Sequence, residues 1–318
     1  MRLLHFVTPV LGGIAVCAVA CSSGVQGSCG SYFDTVISYE AKCGSSLFLD
    51  SSEKSAFEDY CGALAAEPGV KDLASQIDRC NSALQARDCN AGSNCSIRGT
   101  LADGAACGNS TQCAGGLCDG TQSSATTEVS CGKCASYLQV GADCSGGTGT
   151  CDPTTSACVQ GKCAAFVQKG ESCAAAPCAS GLTCDLATST CAALPQKGAA
   201  CTGECASPYR CVSGTCADAV QENGACTTSG DCAPNLTCSN QTCVAPQQAA
   251  EGQPCGFVNN QIVGCQTGLK CAQESTNAFT CIAPKPSGAS CTVGKGECAA
   301  FLACVGGTCQ LPDYSTCK

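Results

Sequence analysis

Thirty-eight of the 318 residues are cysteine, about 12 %, and this density constrains the chain more than any other feature. Cysteine above roughly 8–10 % marks a fold held by covalent staples rather than by a large apolar core. The apolar residues agree, because Leu, Ile, Val and Phe together make up only about 16 % of the chain and Trp is absent. Without its cysteines such a composition would read as disordered. One large globular enzyme core is thereby excluded, and an oxidising compartment is implied.

Residues 1–20, MRLLHFVTPVLGGIAVCAVA, combine Arg2 with an apolar run broken by Thr8, Pro9 and Gly12-Gly13. That interruption and the small residues Ala18, Val19 and Ala20 predict a cleaved signal peptide rather than a retained membrane helix. Ala18-Val19-Ala20-Cys21 resembles the lipobox of bacterial lipoproteins, with Ala18 where that family favours Leu. The resemblance implies that Cys21 carries lipid and that Ser22 directs the protein to the outer membrane. It makes residues 21–27 a lipidated linker. The membrane is then the first expected partner, reached through acyl chains worth about 0.8 kcal/mol per buried methylene. A soluble secreted protein behind an ordinary signal is the alternative. Cys17 leaves with the signal, and after Cys21 thirty-six cysteines remain, an even number as full pairing needs.

Residues 28–96 hold six widely spaced cysteines: Cys29, Cys43, Cys61, Cys80, Cys89 and Cys95. Cys29, Phe33, Val36 and Cys43 recur on one helical face. Asp50-Ser51-Ser52-Glu53 has capping-box spacing, followed by the stripe Phe57, Cys61 and Leu64. Pro68-Gly69 ends that segment, and Val70, Leu73, Ile77, Cys80 and Leu84 form a third stripe. The pattern predicts a disulfide-stapled three-helix module with Tyr32, Phe33, Tyr39, Phe57 and Tyr60 as its core. Asp50, Asp59, Asp72 and Asp78 form its solvated face.

From residue 104 helical periodicity gives way to seven tandem four-cysteine units with little regular secondary structure, spanning 104–318. They start near 104, 141, 170, 198, 223, 252 and 288. Their cysteines are Cys107, Cys113, Cys118 and Cys134; Cys144, Cys151, Cys158 and Cys163; Cys173, Cys178, Cys184 and Cys191; Cys201, Cys205, Cys211 and Cys216; Cys226, Cys232, Cys238 and Cys243; Cys255, Cys265, Cys271 and Cys281; and Cys291, Cys298, Cys304 and Cys309. Cys131 and Cys317 are extra to this count. Six units open on Gly three residues before the first cysteine, and the fifth opens on Asn223. Asn is the best substitute for Gly at positive φ, so the position predicts a left-handed turn. Nine residues separate units at five of six junctions, which predicts a constant joint and a semi-rigid rod. Four cysteines allow three pairings, so connectivity stays open.

Cys107-x5-Cys113-x4-Cys118-x12-Cys131-x2-Cys134 resembles the N-terminal cysteine-rich domain of Dickkopf proteins, and the later units resemble it more weakly. A helical module and such repeats behind a lipobox are similar to cysteine-rich lipoproteins of Gram-negative bacteria. The resemblance implies short strands and turns tied by disulfides, as in EGF-like modules. It carries over no receptor activity.

Cys131-Gly132-Lys133-Cys134 has redox spacing but lacks the flanking strand–helix pattern that activates such cysteines, and it is the one CxxC available for zinc. The single histidine, His5, lies in the signal, which removes histidine-based catalysis and histidine metal sites. The formal net charge of −9 and the lack of a basic cluster argue against nucleic acid. No catalytic, cofactor or metal residue is therefore expected. The sequence reading is a non-enzymatic, lipid-anchored outer-membrane protein whose stapled stalk displays a surface or binds an extracellular protein or glycan. A secreted inhibitor or receptor ligand is the alternative, and a redox or metal protein the third reading.

Overall fold

The computed structural model describes residues 13–43, 53–86, 95–124, 127–146, 149–234, 236–258, 261–275 and 278–318. Residues 1–12 of the expected signal, Asp50, Ser51 and Ser52 of the expected capping box, and Cys89 lie outside them. Three helices come first: α1 (Gly13–Cys43), α2 (Lys54–Ala65) and α3 (Leu73–Gln85). Phe33, Leu64, Leu73 and Ile77 are buried in the module. Cys29–Cys61 ties α1 to α2, and Cys80–Cys95 ties α3 to the chain leaving the module. Cys43 is also disulfide-bonded. Among the described residues, no helix is long and apolar enough to cross a membrane.

Residues 21–27, expected as a linker, instead continue α1. The reason is packing: Val25 lies against the core around Cys29 and Cys61, and Gln26 Nε2 donates to Asp59 at 3.3 Å.

Every unit of the array uses the same pairing. The first cysteine bonds the third and the second bonds the fourth, from Cys107–Cys118 and Cys113–Cys134 to Cys291–Cys304 and Cys298–Cys309. Third and fourth cysteines face each other across an antiparallel hairpin, as Cys158 does Cys163 and Cys304 does Cys309. Gln160-Gly161, Ser213-Gly214, Asn240-Gln241 and Gly306-Gly307 make two-residue hairpin turns with both φ values positive, the type that matches strand twist. What is buried inside a unit is mostly sulfur. Cys226, Cys232 and Cys243, for example, gather only Val220, Leu236 and Cys238 around them.

The opening residue is left-handed in all seven units, with φ between 66° at Asn223 and 89° at Gly141. Its N–H donates to the carbonyl of its own fourth cysteine, as Gly170 does to Cys191 at 2.7 Å and Asn223 to Cys243 at 2.7 Å. A Cβ at each of the six opening glycines would meet nothing within 4 Å. The demand is therefore on φ alone, which is why Asn fits. Gly170→Ala is expected to destabilise its unit by about 1–2 kcal/mol, whereas Asn223→Gly costs nothing. Urea titration followed by unit-resolved amide exchange measures both.

In six of the seven units the residue three before the opening position pairs with the second cysteine of the unit it enters, as Leu138 does with Cys151 and Lys285 with Cys298; in unit 4 that residue is Pro195, which lacks an N–H and only accepts, from Ala206 at 2.9 Å. The spacer thus carries the first bridge of the next unit, which fixes the offset between the opening turn and the second cysteine.

Three units share a further device. Gln112, Asp231 and Glu297 each precede the second cysteine and accept backbone N–H groups just after the first, from Gly108 at 2.8 Å, Thr227 at 2.7 Å and Thr292 at 2.7 Å respectively. N–H donors from Thr228 and Thr227 hold the Asp231 carboxyl below its ordinary range. A lowered folded pKa contributes stability above the unfolded value of about 3.9, lost as pH falls through the folded one. Unit 5 is therefore expected to loosen in acid while unit 1, built on the neutral amide of Gln112, does not. Amide exchange at Thr227 and Gly108, compared at pH 2.5 and pH 5, tests the contrast.

The array does not run out as the expected rod. Strand Thr127–Ser136 of unit 1 pairs with strand Ala303–Val305 of unit 7, and Ser207 Oγ of unit 4 donates to the Cys43 carbonyl at the end of α1 at 2.7 Å. The chain closes on itself and on the helical module. Local spacing sets each joint, but a small rotation repeated at every joint bends an array, and the contacts that close it lie far apart in sequence.

Candidate functional site

The closing joint is where the chain departs most from its own repeat. Cys131 and Cys317, the two cysteines left over from the units, bond each other across 186 residues. Four residues before Cys131, Thr127 pairs with Val305. Glu128 then places its carboxylate against unit 7, accepting N–H groups from Gly294 at 2.9 Å, Gly296 at 3.4 Å and Cys304 at 2.9 Å. Charge-assisted bonds of this kind are about twice as strong as neutral ones.

Unit 7 also reaches the helices. The Phe301 ring packs 5.2 Å from Phe57 and 5.7 Å from Tyr60, and Phe57 in turn lies 5.6 Å from Phe33. Tyr314 follows with its hydroxyl 3.4 Å from that of Tyr60, while its N–H donates to Glu67 Oε1 at 2.9 Å. Asn109 Nδ2 of unit 1 donates to the same Tyr60 hydroxyl at 3.1 Å. The expected aromatic core is thus partly a docking face. Phe33 is buried, Tyr32, Phe57 and Tyr60 pack around the core, and Tyr39 edges a cleft of about 360 Å³ between α1 and α3.

At Phe301 unit 7 departs from the repeat in favour of this contact. It sits three residues after the second cysteine, a turn position occupied by Gly116, Gly181 and Gly268 in units 1, 3 and 6. All three glycines have φ near +80°, and Phe301 is held at φ 63°. The turn closes through Leu302 N–H to Ala299 O at 3.1 Å, matching Leu182 to Ala179 at 3.1 Å in unit 3. A bulky residue at positive φ is strained and persists where its surroundings hold it. Here Phe57 and Tyr60 do so. Aligning the units on their second cysteines would have exposed Phe301 in the sequence; Glu128 has no such signal.

Burial, reinforced by the Tyr314 hydroxyl, pushes the Tyr60 phenol well above its usual range, and burial raises Glu67. A raised folded pKa contributes stability that is full below the unfolded value and lost as pH rises through the folded one. The joint is expected to loosen at pH above about 10, where an ordinary phenol already ionises. Tyr60→Phe should abolish that alkaline transition, which small-angle scattering between pH 8 and 12 would reveal.

A second concavity, a groove of about 700 Å³, runs between units 3, 4 and 5 and is edged by Leu182, Leu194, Glu204, Tyr209, Arg210 and Thr228. Lys197 Nζ lies 5.8 Å above the Tyr209 ring. Aromatic, cationic, anionic and hydroxyl groups on one open wall can bind a polar ligand.

Triads such as Cys107, Cys113 and Cys134, whose sulfurs lie within 4.8 Å of one another, are neighbouring disulfides. Their sulfurs are bonded, not the thiolates that zinc takes. Within the CxxC, Cys131 bonds Cys317 and Cys134 bonds Cys113, so the pair belongs to two different bridges. Both lie on a strand. Cys21 lies within α1, eight residues before Cys29.

Comparison with known protein families, characterised proteins and solved structures finds no match.

Proposed function

We infer that the protein is a non-enzymatic, lipid-anchored component of the cell envelope that presents a disulfide-closed repeat surface to an extracellular protein or glycan. The observation that carries the anchor is the position of Cys21, in a lipobox-like sequence and on the helix that packs into the module. Val25, four residues on, already touches the core, which sets the acylated residue about 6 Å of helix rise from packed protein. Anchoring at Cys21 would hold the base of the molecule against the outer membrane and leave the array facing outward. The closed array is a platform in this reading, not a stalk. The groove between units 3, 4 and 5 supplies the binding wall.

Mass spectrometry of the mature N-terminus tests the anchor. Diacylated or triacylated Cys21 is expected, and Cys21→Ser should release the protein from membranes. An unacylated mature start would favour the secreted inhibitor or ligand instead. Substituting Tyr209 and Arg210 together is expected to abolish capture of the envelope partner while leaving acylation intact.

A further inference from the structure

We propose that the Cys131–Cys317 disulfide is a redox clasp: a dithiol reduces it before any staple of a unit, and its reduction opens the closing joint. The bond differs in kind from the others of the array, which each lie inside one unit across 10 to 21 residues. Cys131 and Cys317 belong to no unit's four cysteines, so cutting their bond unfolds nothing. Both are half-buried, as Cys173 and Cys184 of a first–third staple are, whereas the fourth cysteine of every unit is buried.

What happens after scission separates them further. Sulfurs freed inside a unit remain joined by only 10 to 21 residues of chain, a short loop that closes again far more readily than one of 186 residues. Cys317 lies beyond the last staple, at Cys309, in a segment whose one regular element is the turn Tyr314–Thr316. Apart from the Tyr314 contacts to Tyr60 and Glu67, this disulfide is what holds that segment to unit 1. A thiolate of the dithiol attacks one sulfur to give a mixed disulfide, releasing the other sulfur as a thiol. The second thiol of the reductant then displaces the mixed disulfide. Cys131 and Cys317 end as two thiols and the reductant as its own disulfide. Tyr314 can then leave Tyr60 and Glu67, and the face formed by Phe57, Tyr60 and Phe301 comes open.

The test is a titration of the full-length protein with dithiothreitol under native conditions, trapped with iodoacetamide and mapped by mass spectrometry. Cys131 and Cys317 are expected to be labelled first. At that point amide exchange at Gly294 and Cys304, the donors to Glu128, should rise at least tenfold and the scattering radius should grow. The double variant Cys131→Ser/Cys317→Ser should show the same open state without reductant. Earlier labelling of Cys144 and Cys158, a pair with one exposed sulfur, would overturn the proposal. So would unchanged exchange and radius after selective reduction, or a double variant that stays closed.

Discussion

Phe301→Ala is expected to undo the closing joint at a cost of about 2–3 kcal/mol, somewhat below the range for truncating a fully buried Phe. The ring fills the space between Phe57 and Tyr60, and nothing else from unit 7 reaches Phe57 by ring contact. Phe301→Gly removes the same ring but restores the residue that units 1, 3 and 6 carry at this turn. It also removes the left-handed strain, about 1–2 kcal/mol for a residue with a Cβ. The two variants should therefore lose docking equally, while unit 7 itself is more stable in the glycine variant. Amide exchange separates the effects: Phe57 and Tyr60 report docking, and Cys309 reports the unit. Equal unit stability in the two variants would show that the φ of Phe301 costs nothing.

Converting Cys232 and Cys243 to Ala is expected to melt unit 5 and leave its neighbours folded. Their bridge closes 11 residues, worth about 3 kcal/mol in the chain-entropy view. A unit whose buried apolar residues are three cysteines has no apolar reserve to replace that. Loss of protection should stop near Val220 and Val244, because adjoining units keep their own two staples. The scattering radius should change little, since the closing joint still ties both ends of the array. Cooperative loss of units 4 and 6 would instead mean that the joints share stability.

The local rules of the array were legible in the sequence. Asn223 among six glycines announced a left-handed position, and the structure places all seven openings there. Helical periodicity placed α2 and α3 because buried stripes repeat within a few residues. What escaped were relations between distant residues. Four cysteines permit three pairings, and the choice depends on which two face each other across a hairpin that spacing does not reveal. Glu128 looks like any surface acid until Gly294 and Cys304 arrive 166 and 176 residues later. The boundary of α1 escaped for another reason: Val25 and Gln26 are helical through what they touch on α2, with little intrinsic preference at stake.

The bond between Cys131 and Cys317 also decides where tension travels. A pull between the helical module and Lys318 runs through unit 1 and crosses that bond, so the chain of units 2 to 7 lies beside the loaded path. The two cysteines are 186 residues apart in sequence, and the two staples inside each unit limit how far that loop can extend. While the bond is intact the protein is short and stiff under load. Once it is cut, the same chain becomes a long tether whose units bear the force one after another.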